Sequence, residues 1–378
     1  MNWASILEPN TREQAVATSR MPFIHPHLAL MPDAHLGKGA TVGSVIPTLR
    51  AVMPAAAGVD IGCGMIAVRT QYTVDELPTD RAAVRTAIER AIPLSAGHGN
   101  AQLTESAAAR CARLDGMPGV EHADQLAPKW RLQLGSLGSG NHFIEVTVDE
   151  TGRVWLFLHS GSRGVGNKLA MHHIAVARRL ATTWWIQLPD PDLAYLVEGT
   201  PEFTTYIRDL RWAQSFALLN REEMMDRVIA CFGEWVGCPV EEAERINCHH
   251  NFTQRETHFG KDVWVSRKGA IEAREGMAGL IPGSMGTASY VVAGKGNRLA
   301  LESAPHGAGR AFSRSAARRA FSQDDLRTAM TGIEYRDTAA FVDEIPQAYK
   351  DIDQVMADAA DLVEIRHTLH QIVNVKGD

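Results

Sequence analysis

The sequence predicts an α+β fold: a single large domain over residues 1–378, with mixed β-sheets surrounded by helices. Three observations carry this. Strand-like and helical runs follow one another in mixed order, whereas a doubly wound sheet needs strict alternation. The composition, 45% hydrophobic and 22% charged, is that of a globular chain able to bury a large core. Neither G-x-x-x-x-G-K-[ST] nor a well-placed G-x-G-x-x-G occurs, so neither a P-loop nor a Rossmann nucleotide fold is expected.

Taken in order, strands are predicted at Ala40–Ile46, Met65–Thr70, Phe143–Val148, Val154–His159, Lys261–Val265 and Ser289–Val292. Each is rich in β-branched or aromatic residues and bounded by glycine. Helices are predicted at Asp80–Ala91, Asn167–Leu180, Thr204–Cys231, Ser313–Phe321 and Asp353–Val373, where apolar residues recur at three- and four-residue spacing. The stretches near residues 75–130 and 185–245 read as places for helical insertions. No internal repeat or Ser/Gly linker is visible.

The formal charge is −6, with 15 histidines counted as neutral. That excludes a wholly basic nucleic-acid coat but not a local basic groove. The start, MNWASILEPNTREQ, lacks the charged head and apolar run of a secretory signal. The most apolar stretch, Val42 to Val68, is broken by Pro47, Arg50, Pro54, Gly58 and Asp60, well short of the roughly 18 apolar residues of a spanning helix. Five cysteines without a C-x-x-C pair fit neither a disulfide framework nor a zinc ribbon. A cytoplasmic protein with no membrane association is expected.

The chemistry starts at GVDIGCG (Gly58–Gly64), which sets Asp60 and Cys63 close together among glycines. A carboxylate and a thiol so placed can share one metal ion, or the thiolate can bridge two; the same segment also reads as a tight turn holding an inert buried cysteine. Histidines tip the balance. GSLGSGNHFIEV (Gly135–Val146) sets His142 before a strand, LHSGSRGVG (Leu158–Gly166) sets His159 at the end of one, and INCHHNF (Ile246–Phe252) offers His249, His250 and Asn251. Each alone is an ordinary hydrogen-bonding imidazole, but together with Asp60 and Cys63 they make a metal centre the better account. Thiolate with imidazole suits zinc or iron, so ligand softness alone does not single out manganese.

A second theme is phosphate. GSGN, GSRG, PGSMG (Pro282–Gly286) and HGAGR (His306–Arg310) are short small-residue loops able to present backbone N–H groups to an anion. Beyond the last of them, Arg310, Arg314 and Arg318 follow at four-residue spacing, which reads equally as a phosphate-binding stripe or a solvated helix face. His306 can serve as ligand, base or nucleophile. His35 stands as a lesser candidate.

Together these segments resemble the RtcB family of RNA ligases, in its short bacterial form. The likeness runs through MPDAHLGKG (Met31–Gly39), GVDIGCG, GSLGSGNHFIE, HSGSRG, His250–Asn251, IPGSMGTASY (Ile281–Tyr290), HGAGR, AYKDID (Ala348–Asp353) and VKG (Val375–Gly377), in family order. The resemblance implies a ligase that joins RNA 3′-phosphate or 2′,3′-cyclic phosphate ends to 5′-hydroxyl ends, in RNA repair or tRNA splicing. It implies two manganese ions on Asp60, Cys63, His142, His159 and His250, with the thiolate between them, and GTP as donor of a guanylate to His306. An RNA-(3′)pp(5′)G end would follow, and then the joined strand. It places guanylate contacts at Asn141, His142, Phe143, Ile144, Glu145, His250, Asn251, Pro282, Gly283, Ser284, Met285, Ser289, His306, Gly307, Ala308, Gly309 and Lys376. Glu145 can accept from guanine N1–H and N2–H₂, Lys376 can donate to O6, and Tyr349 can stack on the base. RNA and GTP are the expected partners and a monomer the expected state. The alternative is a dinuclear metal phosphoesterase acting on RNA ends without joining them; it has no need of a guanine site.

Overall fold

A computed structural model describes residues 1–378. Its largest sheet has seven antiparallel strands in the spatial order Ala278–Ile281, Ser289–Gly294, Val363–Lys376, Phe143–Val148, Arg153–Ser160, Gly64–Thr73 and Glu242–His249. A second sheet of four antiparallel strands runs Ala29–His35, Val42–Thr48, Lys261–Lys268 and Asn251–His258. Neither sheet contains a parallel pair, so the sheets are antiparallel and not mixed as expected; no βαβ crossover is needed and the α+β class holds.

The two-residue alternation of strands divides the core. Met65, Ala67, Phe143 and Phe157 pack with Met31, Val45 and Val265 of the smaller sheet. Their neighbours Ile66, Val68, Ile144 and Leu158 pack on the opposite face, against Val84 and Ile88 of the helix Arg81–Ala91 and Met224, Met225 and Val228 of the helix Pro201–Val236. Both faces are buried, which explains strands that read as continuous apolar runs. The helix Arg163–Thr183 lies against the long helix in a third cluster with Trp212 and Phe216.

Most predicted elements appear with small shifts at their ends. Asp80 caps the helix Arg81–Ala91 by accepting from Ala83 N at 3.3 Å, and Ser313 caps Arg314–Ala320 by accepting from Ala316 N at 3.2 Å. The expected helix Asp353–Val373 is a correction. Only Ile352–Asp358 is helical, and Val363–Lys376 is a strand between Ser289–Gly294 and Phe143–Val148. Its apolar spacing mimics a helical period, but ladder pairing on both sides and the buried run from Val373 to Lys376 favour the extended form. No helix is long and apolar enough to cross a membrane.

Candidate metal centre and nucleotide cleft

Strand register gathers the predicted ligands. Met65 pairs with His159 and Phe143 pairs with the same His159, while Gly64 pairs with His249. Cys63, His142 and His250 each sit one residue beyond a strand end at that level, so all four side chains meet at one end of the large sheet. The loop carrying Asp60 and Cys63 is pressed on the long helix. Gly62 has φ +72, and a Cβ there would come within 2.8 Å of Ala217 Cβ.

Cys63 Sγ lies 3.4 Å from His142 Nε2 and 3.3 Å from His159 Nε2, His159 Nε2 is 2.9 Å from His250 Nε2, and His142 Nε2 is 3.1 Å from Asp60 Oδ2. The donors form two groups, Cys63/His159/His250 and Asp60/Cys63/His142, which share the thiol and lie within 4.8 Å of one another in each. His142 Nδ1 is held by Leu137 O and His159 Nδ1 by Asn141 O, both at 3.0 Å. Those bonds fix the tautomer and turn each Nε2 lone pair inward, as metal-binding imidazoles require. The donor set therefore fits two divalent cations, with Cys63 common to both groups. Burial, then the neighbouring imidazoles, holds His159 and His250 well below the ordinary histidine range, so both are neutral, the form able to bind a metal. Burial, reinforced by Asp60, pushes the Cys63 thiol well up, a penalty that a bound cation reverses. Burial also works against Asp60 ionising, but the His142 hydrogen bond and charge outweigh it and hold the carboxyl at about 2.

The helix Pro201–Val236 supplies a support that the sequence reading left unassigned. Arg221 is fully buried and donates to Gly62 O at 2.8 Å, Ser160 O at 3.1 Å and Asn247 Oδ1 at 2.8 Å, with His249 Nδ1 at 3.2 Å. Next to it, Asn220 Nδ2 donates to Ser136 O and Gly161 O, both at 3.2 Å, and its Oδ1 accepts from Gly135 N at 2.7 Å. The pair thus ties together the loops that carry Cys63, His142 and His159. His249 is occupied by Gly62 O at 2.8 Å, and it is His250 that joins Cys63 and His159 in the donor group.

A cleft of about 370 Å³ opens beside this centre. Asp60, Cys63, Asn141, Phe143, Glu145, His159, His250, Asn251, Pro282 through Met285, His306 through Gly309, Tyr349 and Lys376 all border it. His142 reaches it only through its contact with Cys63, Ser289 is buried behind the Pro282 loop with its hydroxyl 3.4 Å from Gly283 N, and the Ile144 side chain faces the opposite core layer. His306 lies beside the donor cluster, its ring centroid 4.6 Å from that of His250 and 6.5 Å from that of His35. Its Nδ1 is 2.5 Å from Asp33 Oδ2, off the N–H line, and its backbone N–H donates to the same oxygen at 3.1 Å. Lys268, unassigned from sequence, donates from Nζ to the Lys38 and Ala55 carbonyls, and burial brings it down to about 8.

At the other end of the cleft Glu145 accepts from Asn374 Nδ2 at 3.0 Å through Oε1, while its buried Oε2 has no partner. Burial pushes its carboxyl up to about 8, against the pull of Lys376 and Asn374. Lys376 Nζ is 3.4 Å from Glu344 Oε2, and the Tyr349 hydroxyl donates to that oxygen at 2.5 Å. Burial opposes ionisation of Glu344, yet Lys376 and Arg314 outweigh it and hold it at about 2. The arginine stripe is turned onto this acidic corner. Arg310 Nη2 donates to Asp343 O at 2.6 Å, Arg314 to Asp343 Oδ2 at 2.8 Å and to Glu344, and Arg318 to Asp343 Oδ1 at 3.2 Å. The residues are neither a free phosphate stripe nor a purely solvated face, and Arg310 lies outside the helix, bridged to Tyr349.

A family model described as tRNA-splicing ligase RtcB matches residues 14–377. The chain is 46% identical over 389 residues to RNA-splicing ligase RtcB of Escherichia coli, an alignment covering 98% of this chain and 95% of the relative. It is 31% identical over 421 residues to tRNA-splicing ligase RtcB of Pyrobaculum aerophilum, covering 92% and 86%. It is also 31% identical over 414 residues to RNA-splicing ligase RtcB of Mycobacterium tuberculosis, covering 91% and 94%.

Proposed function

The chain belongs to the RtcB family of RNA ligases, and from that premise we propose that it is a GTP- and manganese-dependent enzyme sealing RNA 3′-phosphate or 2′,3′-cyclic phosphate ends to 5′-hydroxyl ends. The observation that carries this reading is the place of His306, beside the two donor clusters and in contact with buried Asp33. When bound, the two metal ions supply charge neutralisation at the phosphates and activation of water for opening a cyclic end.

The residues of the chain do the rest. Asp33 Oδ2 anchors the His306 backbone N–H and lies against the ring at Nδ1, leaving Nε2 as the nucleophile toward the cleft. Nε2 attacks the α-phosphorus of GTP; a P–N bond forms, the bond to the bridging oxygen breaks and pyrophosphate leaves. An oxygen of the RNA 3′-phosphate then attacks the same phosphorus, the P–N bond breaks, and His306 is released. Attack of the 5′-hydroxyl on the activated 3′-phosphate expels GMP. Glu145, with one oxygen free at the far end of the cleft, is the acceptor for the guanine edge. Lys376 donates to the guanine carbonyl, and Tyr349 lines the base pocket. A phosphoesterase that stops at hydrolysis has no use for such an end. We further read the enzyme as a cytoplasmic monomer.

The test is incubation of two RNA strands, one with a 3′-phosphate and one with a 5′-hydroxyl, with protein, GTP and manganese. Joined product that requires GTP is expected. Release of inorganic phosphate from the 3′ end with no joining would replace ligation by hydrolysis.

A further inference from the structure

A second group of metal-ligating side chains lies outside the cleft, where the helices Val120–Leu126, Arg163–Thr183 and Pro201–Val236 meet. His122, His173 and Asp209 bring one ligand atom each to within 4.8 Å of one another. His122 Nδ1 is 2.6 Å and His173 Nε2 is 2.8 Å from the same oxygen, Asp209 Oδ2. We propose that this junction is a structural site for a transition-metal dication, zinc above all, held by His122 Nδ1, His173 Nε2 and Asp209 Oδ2.

Two of the donors are closed off from solvent. Asp209 and His173 are buried, so their polar atoms have no water to turn to. The other carboxylate oxygen, Oδ1, accepts from Arg208 Nε at 3.1 Å, which fixes the orientation of the group and leaves Oδ2 for the ion.

Close approach of the short helix depends on Gly119, with φ +110, because a Cβ there would come within 3.0 Å of Trp212 Cβ and 3.4 Å of Asp209 Oδ1. Zinc bonds of about 2.0–2.1 Å set tetrahedral ligands roughly 3.3 Å apart, so the two nitrogens, at 2.6 and 2.8 Å from Oδ2, move outward by about 0.5–0.7 Å. His122, a quarter exposed and on the shortest of the helices, is the ligand free to do so. Exposed His172, its ring centroid 5.7 Å from that of His122, borders the fourth position, which it or water fills.

Two imidazole nitrogens with one carboxylate oxygen suit zinc far better than magnesium or calcium. The ion clamps the short helix to the two helices that support the catalytic loops. Asp209 stands eleven residues before Asn220, about 16 Å along the same helix. The proposal does not depend on the ligase reading.

The test titrates zinc into the full chain against a chromophoric chelator, in a Cys63→Ala/His250→Ala background that removes the ligand common to both catalytic donor groups. One zinc equivalent is expected to remain, with an unfolding temperature that rises on adding zinc. His122→Asn keeps an N–H able to donate to Asp209 but is a poor ligand. In that background it should weaken zinc binding roughly a hundredfold or more and abolish the zinc-dependent rise, each variant being compared with itself in chelator. Asp209→Asn should do the same. A background that binds no zinc, or an equivalent and a thermal rise that survive both substitutions, overturns the site.

Discussion

Asp33 Oδ2 meets His306 twice, at 2.5 Å from the ring Nδ1 and at 3.1 Å from the backbone nitrogen. One buried carboxylate thus anchors the main chain of the proposed nucleophile by a hydrogen bond and lies against its ring nitrogen, and Asp33 itself has no solvent exposure. Fixing ring and backbone together is the kind of preorganisation that a strained or mobile loop would not provide.

Asp33→Asn tests that positioning role. The amide keeps the size and can still accept from the His306 backbone, but it cannot hold the ring by charge. Guanylylation should slow by about a hundredfold or more while GTP binding changes little. Rapid-quench measurement of the first turnover reads the step. A wild-type rate would remove Asp33 from the account.

Arg221→Met tests the support beneath the ligand loops. It leaves the Gly62 and Ser160 carbonyls without their buried donor, so stability should fall by about 2–4 kcal/mol in urea unfolding. Manganese stoichiometry at fixed concentration should drop with it, and Arg221→Lys should restore only part. Full stoichiometry in Arg221→Met would show that the loops hold their shape unaided.

The pH dependence of GTP affinity follows from Glu145. Its folded carboxyl is raised to about 8 by burial, so the free protein holds a proton there at neutral pH. If guanine needs the carboxylate, affinity should strengthen as pH rises through about 8 and flatten above it, and Glu145→Gln should remove the slope. The sign for stability is opposite. An unfolded glutamate ionises near 4.5, so the unfolded state loses its proton first, and this group's contribution falls as pH rises from there toward about 8. Titration calorimetry for GTP, and urea unfolding of wild type against Glu145→Gln, check both.

Arg318 is more than half exposed and its guanidinium pairs with Asp343. Arg318→Ala should therefore leave RNA affinity and its salt slope nearly unchanged and cost less than about 1 kcal/mol of stability. A reduced slope would return this residue to the phosphate-binding role that its four-residue spacing equally allows.

The chemistry-bearing loops were legible because glycine, serine and histidine cluster there for local reasons that survive any packing. What joined them was not. The strand Glu242–His249 is largely polar, and only its place beside Gly64–Thr73 makes it a strand. Val363–Lys376 carries a spacing that fits either period, and pairing on both sides decides it. Asn220 and Arg221 lie in the middle of a long amphipathic helix, where a polar pair reads as surface until the helix is seen buried under the ligand loops. Asp33 stood inside a recognised segment, but its contact with His306 spans 273 residues and has no local signature.

The most direct test of the central claim is incubation of the protein with GTP labelled on the α-phosphate, manganese and no RNA. The account predicts label bound to protein through a bond stable in alkali and cleaved by acid, as a phosphoramidate is. It also predicts that the label is lost in His306→Ala and discharged onto RNA bearing a 3′-phosphate. Label that persists in His306→Ala, or no label on the wild-type protein, would contradict it.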